Sequence, residues 1–334
     1  MTTETPDALP TGTVDAAVIG GGAAGLNGAL MLARSRRSVV VIDSGTPRNA
    51  PADAVHGLLG LDGTPPAELL ARGRAEVRGY GGLVVPGQVT AAAPAPPAPD
   101  GDLRFTVTLA DGRTLTARRL LVATGLRDAL PDVPGLAPHW GHGVVHCPYC
   151  HGWEVRDEPV GVLAVGPASV HHALLFRQLT DDLVYFTRDT SLDDDTRARF
   201  TARGIRVVDT PVAAVESDPT GITGVRLTDG TVVPRRVLAV ATTLHARTEG
   251  LSALALPTAQ LPADMGTHLA SGPAGLTGVP GVWTAGNATD PMAQVGASAA
   301  AGALAGAHIN AHLATADTEA ALARATHTPS PAGA

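Results

Sequence analysis

Cysteine is nearly absent from this chain: 334 residues hold two, Cys147 and Cys150, so no disulfide framework organises the fold. Aromatic residues are scarce as well, at 3%. Basic charge is in deficit, with 24 Lys and Arg against 31 Asp and Glu and a net charge of −7. That argues against nucleic acid as a partner, because phosphate binding needs a basic face. No uninterrupted apolar run reaches the roughly 18 residues of a membrane span. The Ala-rich stretch 297–313 is broken by Gly and His and reads as a buried helix. The first ten residues lack both a basic and an apolar stretch, so the expectation is no secretory leader and a cytoplasmic location.

What is present is a globular composition, 44% hydrophobic and 16% charged with 39 glycines, long enough for two domains. The strongest local signal runs from Val14 to Asp43. An apolar strand leads into Gly20-x-Gly22-x-x-Gly25, then a helix, then a second apolar strand ending at Asp43. The glycines permit a tight turn and close approach of a pyrophosphate to the helix N-terminus, and the acid can accept from a ribose hydroxyl.

An internal repeat follows. Val107 to Thr124 aligns without gaps, at an offset of 118, on Val225 to Thr242, with nine of 18 positions identical. Each copy holds an Asp-Gly hairpin turn and ends in an apolar strand reaching Ala-Thr. Two related dinucleotide-domain halves are therefore expected. The second half's glycine loop is eroded: Gly166 survives, but Ala168 and His171 stand where the other glycines belong, and Pro167 intervenes. That domain should keep the fold while gripping a nucleotide poorly. Downstream, the strand Val282 to Ala285 meets Gly286-Asn287, and a helix is expected to open near Gln294.

Cys147 and Cys150 sit in His-Cys-Pro-Tyr-Cys-His. From the residues alone this motif admits a zinc site drawing on His139, His142, His146 and His151, a c-type haem tether, a structural disulfide, or a redox dithiol. Zinc modules usually add a second knuckle, and haem attachment needs export. A loop so small constrains the unfolded chain little. The redox reading fits best, with no resident metal.

Together the first fingerprint, Ala123-Thr124-Gly125, the mid-chain Cys-x-x-Cys and Thr284-Ala285-Gly286-Asn287 resemble the thioredoxin-reductase-like flavoproteins, over about Val14 to Leu313. The resemblance implies an α/β fold of two Rossmann-like dinucleotide-binding domains, the second inserted in the first. Residues 14–128 and 246–313 would form the FAD-binding domain and 129–245 the second. Residues 1–13 and 314–334 are expected to fray. FAD would be held by Gly20, Gly22, Ala23, Ala24 and Gly25 at its pyrophosphate and by Asp43 at its ribose. Val89 would present backbone to adenine. Ala123, Thr124 and Gly125 would form the crossover beside the cofactor. Gly286 and Asn287 would stand at the ribityl chain, and Gln294 and Val295 at the flavin's carbonyl edge. Arg48, Asn49 and His56 would line the flavin.

Two departures narrow the resemblance. His151 replaces the acid that usually follows the second cysteine, and the nicotinamide fingerprint is eroded. Cys-Pro-x-Cys-His with such a loop looks like the dithiol oxidases of gliotoxin- and holomycin-type natural product pathways. That implies a cytoplasmic homodimer that closes a small-molecule dithiol to a disulfide, with O2 as acceptor, in biosynthesis or self-resistance. Cys150 would face the flavin, Cys147 the substrate, and His151 would act as general base. Trp140, His146, Tyr149 and Trp153 would line the substrate pocket, while His139 and His142 read as structural. The competing reading is an NADPH- or ferredoxin-dependent thioredoxin or disulfide reductase. A non-catalytic flavin-binding module is a further alternative, disfavoured by the intact cysteine pair.

Overall fold

The computed structural model describes residues 8–327. A seven-stranded sheet carries the first fingerprint. Its order is Leu83–Pro86, Val39–Asp43, Val14–Ile19, Thr114–Val122, Arg104–Leu109, Val89–Ala95, with Val282–Thr284 pairing parallel to Thr114–Val122. The parallel strands are near-continuous apolar runs because both faces are covered. Ala17, Ile19, Val40 and Ile42 pack into one core, beneath the antiparallel hairpin strands. Ala16, Val18, Val39 and Val41 pack into the other, beneath helix α1 (Ala23–Arg34) and the C-terminal helix. Successive residues of one strand thus feed opposite cores, as a side-chain period of two demands.

Five further helices complete the set: α2 (Pro66–Gly79), α3 (Pro148–His151), α4 (Ala168–Phe176), α5 (Asp194–Ala202) and α6 (Val295–His327). The Gly- and Ala-rich character of α6 has a packing cause. A Cβ on Gly302 would lie 1.9 Å from the Ala24 carbonyl oxygen of α1, so the two backbones touch.

A second, five-stranded sheet runs Arg206–Val208, Leu183–Phe186, Val160–Leu163, Val237–Val240, Val144–Val145. A three-stranded sheet, Val212–Asp218, Gly221–Leu227, Val232–Pro234, packs beside it. The sequence repeat is visible here with one break. In the first copy a single strand, Thr114–Val122, serves both hairpin and parallel sheet. In the second, Pro234 replaces Thr116, ends the hairpin strand and leaves Val237–Val240 to start afresh. Proline lacks the N–H that a continuous ladder needs.

A four-stranded sheet joins the halves, in the order Thr258–Gln260, Gly266–Leu269, Thr243–Ala246, Leu126–Ala129. The two chain crossovers, Leu126–Ala129 and Thr243–Ala246, pair antiparallel within it.

The expected frayed tail is corrected in part. Helix α6 continues through Ala314 to His327, since Ala, Leu, Glu and Arg favour helix and Asp317 anchors it. The Asp317 carboxylate accepts from Arg37 and Arg118, each at 2.6 Å. At the other end Leu9 packs on the first core. Residues 1–7 and 328–334 of the two expected frayed ends lie outside the described residues. Among the described residues no helix is long and apolar enough to cross a membrane.

Candidate active site

The first glycine loop forms a dinucleotide cradle. Gly20 takes φ +111°, and a Cβ there would lie 2.3 Å from the Ala123 carbonyl oxygen, so the turn needs glycine. A Cβ on Gly22 would meet nothing within 4 Å and would fill the space where a phosphate belongs. Gly22 is the N-cap of α1 without a side-chain cap, and the first backbone bond of the helix runs from Leu26 N to Gly22 O. The amides of Ala23, Ala24 and Gly25 make no hydrogen bond among the described residues, which leaves donors and the positive helix end for an anion. Gly25 serves packing instead: its Cβ would lie 1.9 Å from the Gly20 carbonyl oxygen, and it does not line the cavity. The residues present fit an FAD pyrophosphate.

From this cradle a cavity of about 880 Å³ extends to the cysteines. It is lined by Gly20, Gly22, Ala23, Ala24, Asp43, Arg48, Asn49, His56, Ala123 to Gly125, Gly286, Asn287, Gln294 and Val295, and also by Trp140, His146, Cys147, Tyr149, Cys150 and His151. Besides Gly25, two sequence candidates fall outside it. Val89 is buried in its strand. Trp153 is exposed, with the Arg156 guanidinium stacked 4.3 Å from its ring centroid.

Cys147 and Cys150 form a disulfide across the single turn α3, where Cys147 Sγ accepts from the Cys150 amide at 3.1 Å. His151 is half-buried, and neither ring nitrogen has a hydrogen-bond partner. Burial pushes its pKa below the usual imidazole value, opposed by Glu154, so a neutral ring is favoured at neutral pH. His56 bridges toward this segment, with Nε2 3.3 Å from Glu154 and Nδ1 3.5 Å from Asp62.

The sequence reading missed a buried polar chain between the halves. Arg48 donates from Nε and Nη2 to Asp128, both at 2.6 Å. Thr242 Oγ1 donates to the same carboxylate at 2.6 Å, and its amide lies 3.3 Å from His146 Nδ1. The repeat contained the signal. Thr124 and Thr242 are its equivalent last residues, and Thr124 Oγ1 reaches the opposite crossover, donating to the Arg247 carbonyl at 2.7 Å. Asn287 lines the cavity and has a second task. Its amide nitrogen donates to the carbonyls of Asp290, Pro291 and Ala293 and so organises the turn into α6.

His172 was missed as well. It is buried in α4, donates from Nε2 to the His146 carbonyl, and leaves Nδ1 unpartnered. Burial pushes its pKa down to about 4. The folded protein therefore keeps this ring neutral while the unfolded chain protonates near 6.5. Stability is complete above that pH and is lost as pH falls toward 4, by about 3 kcal/mol for this residue. His172→Gln, which keeps a donor without a titrating ring, is expected to flatten that part of the melting-temperature curve. An unchanged pH dependence would remove His172 as its source.

The second glycine loop is built differently from the first. Ser169 N bonds Gly166 O and Val170 N bonds Pro167 O, so the amides of the second and third residues of α4 are taken up in tight turns. Ser169 Oγ accepts from the Val165 amide at 3.0 Å. Arg188 crosses the strand ends and donates to the Ala164 carbonyl at 2.9 Å.

Over residues 14–305 the chain matches the family described as pyridine nucleotide-disulphide oxidoreductase. It is 42% identical to HlmI, with a TM-score of 0.88 over 96% of this chain and 98% of that one. The oxidoreductase from Agrobacterium tumefaciens is 33% identical, with a TM-score of 0.83 over 91% and 99% of the two chains. Thioredoxin reductase tcpT of Claviceps purpurea is 43% identical over 155 residues, 46% of this chain and 47% of that protein. Thioredoxin reductase sirT of Leptosphaeria maculans is 32% identical over 230 residues, 65% and 70% of the two. The chain thus spans about half the length of tcpT and more of sirT. With an intact dinucleotide cradle and a redox-type disulfide in one cavity, the chain belongs to the pyridine nucleotide-disulphide oxidoreductases and is an FAD-binding flavoprotein of thioredoxin-reductase-like fold.

Proposed function

We propose that the protein is a dithiol oxidase: it closes a small-molecule dithiol to an intramolecular disulfide and passes the electrons through FAD to O2, giving hydrogen peroxide. The observation that supports this most is the contrast between the two loops. The first three amides of α1 are unspent, whereas those of Ser169 and Val170 in α4 are taken up in tight turns and Arg188 lies across the strand ends. Electrons then enter through the disulfide and not from a bound nicotinamide. Residues 14–128 with 246–313 are assigned to the FAD domain and 129–245 to the inserted domain. A cytoplasmic homodimer acting in natural product biosynthesis or self-resistance completes the proposal.

In the proposed reaction a substrate thiolate attacks Cys147 Sγ, the Cys147–Cys150 bond breaks, and Cys150 leaves as thiolate. The second substrate thiol then resolves the mixed disulfide, which frees the cyclic product and a reduced pair. His151, neutral and with both ring nitrogens free of hydrogen bonds, takes a thiol proton in this reading. Bound FAD supplies two-electron acceptance from the reduced cysteines and delivery to oxygen. Asp43, Ala123 to Gly125, Gln294 and Val295 hold and orient it. The overall balance is one dithiol and one O2 converted to one disulfide and one H2O2.

An oxygen electrode tests this. With dithiothreitol as donor, O2 uptake and peroxide release are expected at one to one, unaffected by NADPH. Oxygen-independent reduction of a disulfide driven by NADPH would establish the reductase instead.

A further inference from the structure

We propose that His146 is a second catalytic base: its Nε2 takes the proton of a substrate thiol as that thiol attacks the Cys147–Cys150 disulfide. The inference rests on the dithiol reading above and adds a residue to it. His146 directly precedes Cys147 and lines the shared cavity. Its Nδ1 lies 3.0 Å from the Val240 carbonyl oxygen, an atom that only accepts, so the ring proton sits on Nδ1 and the lone pair on Nε2. The Thr242 amide N–H is also directed at Nδ1, from 3.3 Å; the shorter contact, to the Val240 carbonyl that only accepts, sets the tautomer, and the Thr242 hydroxyl already donates to Asp128 at 2.6 Å. Nε2 has no hydrogen-bond partner among the described residues. Behind the ring the Asp128 carboxylate favours the imidazolium that forms, and Arg48 limits that effect. From the other side His172 Nε2 clamps the His146 carbonyl and fixes the residue beside the disulfide. Burial, first, and then Arg48 hold its pKa below the usual imidazole value, so the lone pair is free at neutral pH.

The proton count supports two bases. A dithiol sheds two protons as its sulfurs join. The disulfide takes up the two electrons as two thiolates, and the protons pass one to His146 and one to His151. Both imidazoles start neutral, so each can receive one. With both protons held beside the pair, the substrate sulfurs attack as thiolates without needing a high external pH.

His146→Asn tests this, because its amide keeps a donor near the place of Nδ1 and has no basic lone pair. The FAD-loaded protein is mixed anaerobically with small dithiols of graded thiol acidity, dithiothreitol being the weakly acidic member. Opening of the disulfide is read by quenched alkylation and mass, and flavin reduction by absorbance. At pH 7 the variant should open at least about 100-fold more slowly with dithiothreitol, the span typical of a lost general base. The deficit should shrink for more acidic dithiols and as pH rises, because a thiol that ionises unaided needs no base. Equal slowing with every dithiol at every pH marks a structural role and overturns the proposal, as do unchanged rates. A wild-type protein that no dithiol opens overturns the dithiol reading itself, and His146 with it. If the Asn variant does not retain FAD, His146→Gln carries the same comparison.

Discussion

Cys150→Ser is expected to keep FAD and to lose flavin reduction by dithiols by about 10⁴-fold or more, the order seen when a covalent catalyst loses its nucleophile. In the proposed reaction electrons enter by thiol–disulfide exchange, and without the second sulfur no disulfide exists for a thiolate to attack. A serine hydroxyl cannot replace it, since it forms no bond that thiols cleave. FAD should stay because the phosphate cradle belongs to other elements: Gly20 and Gly22 at α1, with Ala123 to Gly125 at the first crossover. Cys147→Ser is the informative partner. It should be equally inactive, but Cys150 facing the flavin would then give a long-wavelength thiolate-to-flavin absorbance that Cys150→Ser lacks. Finding that band in the Cys150→Ser protein instead would exchange the roles of the two cysteines. Loss of FAD from either variant would show that the pair is part of the cofactor site's structure.

Asp128→Ala is expected to have the largest effect on stability, about 3 kcal/mol, at the lower end for removing one partner of a buried ion pair. The Asp128 side chain is 5% exposed and holds both Arg48 and Thr242. Its removal leaves a guanidinium and a hydroxyl unpaired between the two crossovers. Arg48 is 26% exposed and can recover some water, which keeps the loss from the upper end. Asp128→Asn should cost less, because the amide oxygen can still accept from Thr242. Arg48 holds the Asp128 carboxyl below the usual carboxylate range against the cost of burial. For a depressed carboxylate, stability is present above the unfolded pKa near 3.9 and lost as pH falls through the folded value. The two pH windows separate the residues: the His172 loss comes between about 6.5 and 4, that of Asp128 below it. Thermal melts of the FAD-loaded proteins from pH 8 down to about 2 measure both. A change under about 0.5 kcal/mol for Asp128→Ala would mean that solvent replaces the carboxylate freely.

The contrast between the FAD cradle and this polar chain shows what a sequence can disclose. Gly20, Gly22 and Asp43 lie within one strand–helix–strand unit, and their requirements are local: a positive φ, a close backbone approach, an acid at a strand end. The repeat was equally legible because its pattern lies within 18 consecutive positions. Arg48 to Asp128 spans 80 residues and Thr242 to Asp128 spans 114, so no local pattern marks them as partners. Position alone places Arg48 at the cavity wall, where it does lie, but gives no sign that its guanidinium is bound to Asp128. Trp153 was assigned to the pocket by proximity to Cys150, but it follows the single turn of α3 outward to Arg156. The expectation of a frayed tail from residue 314 fails for a similar reason. Ion pairs to Arg37 and Arg118, distant in sequence, are what hold it.

The most direct measurement of the account is the flavin absorbance of the oxidised protein mixed anaerobically, in separate experiments, with a small dithiol and with NADPH. Bleaching by the dithiol, little change with NADPH, and recovery with peroxide on admitting air are the predicted results. Rapid bleaching by micromolar NADPH, with the dithiol inert, would contradict it.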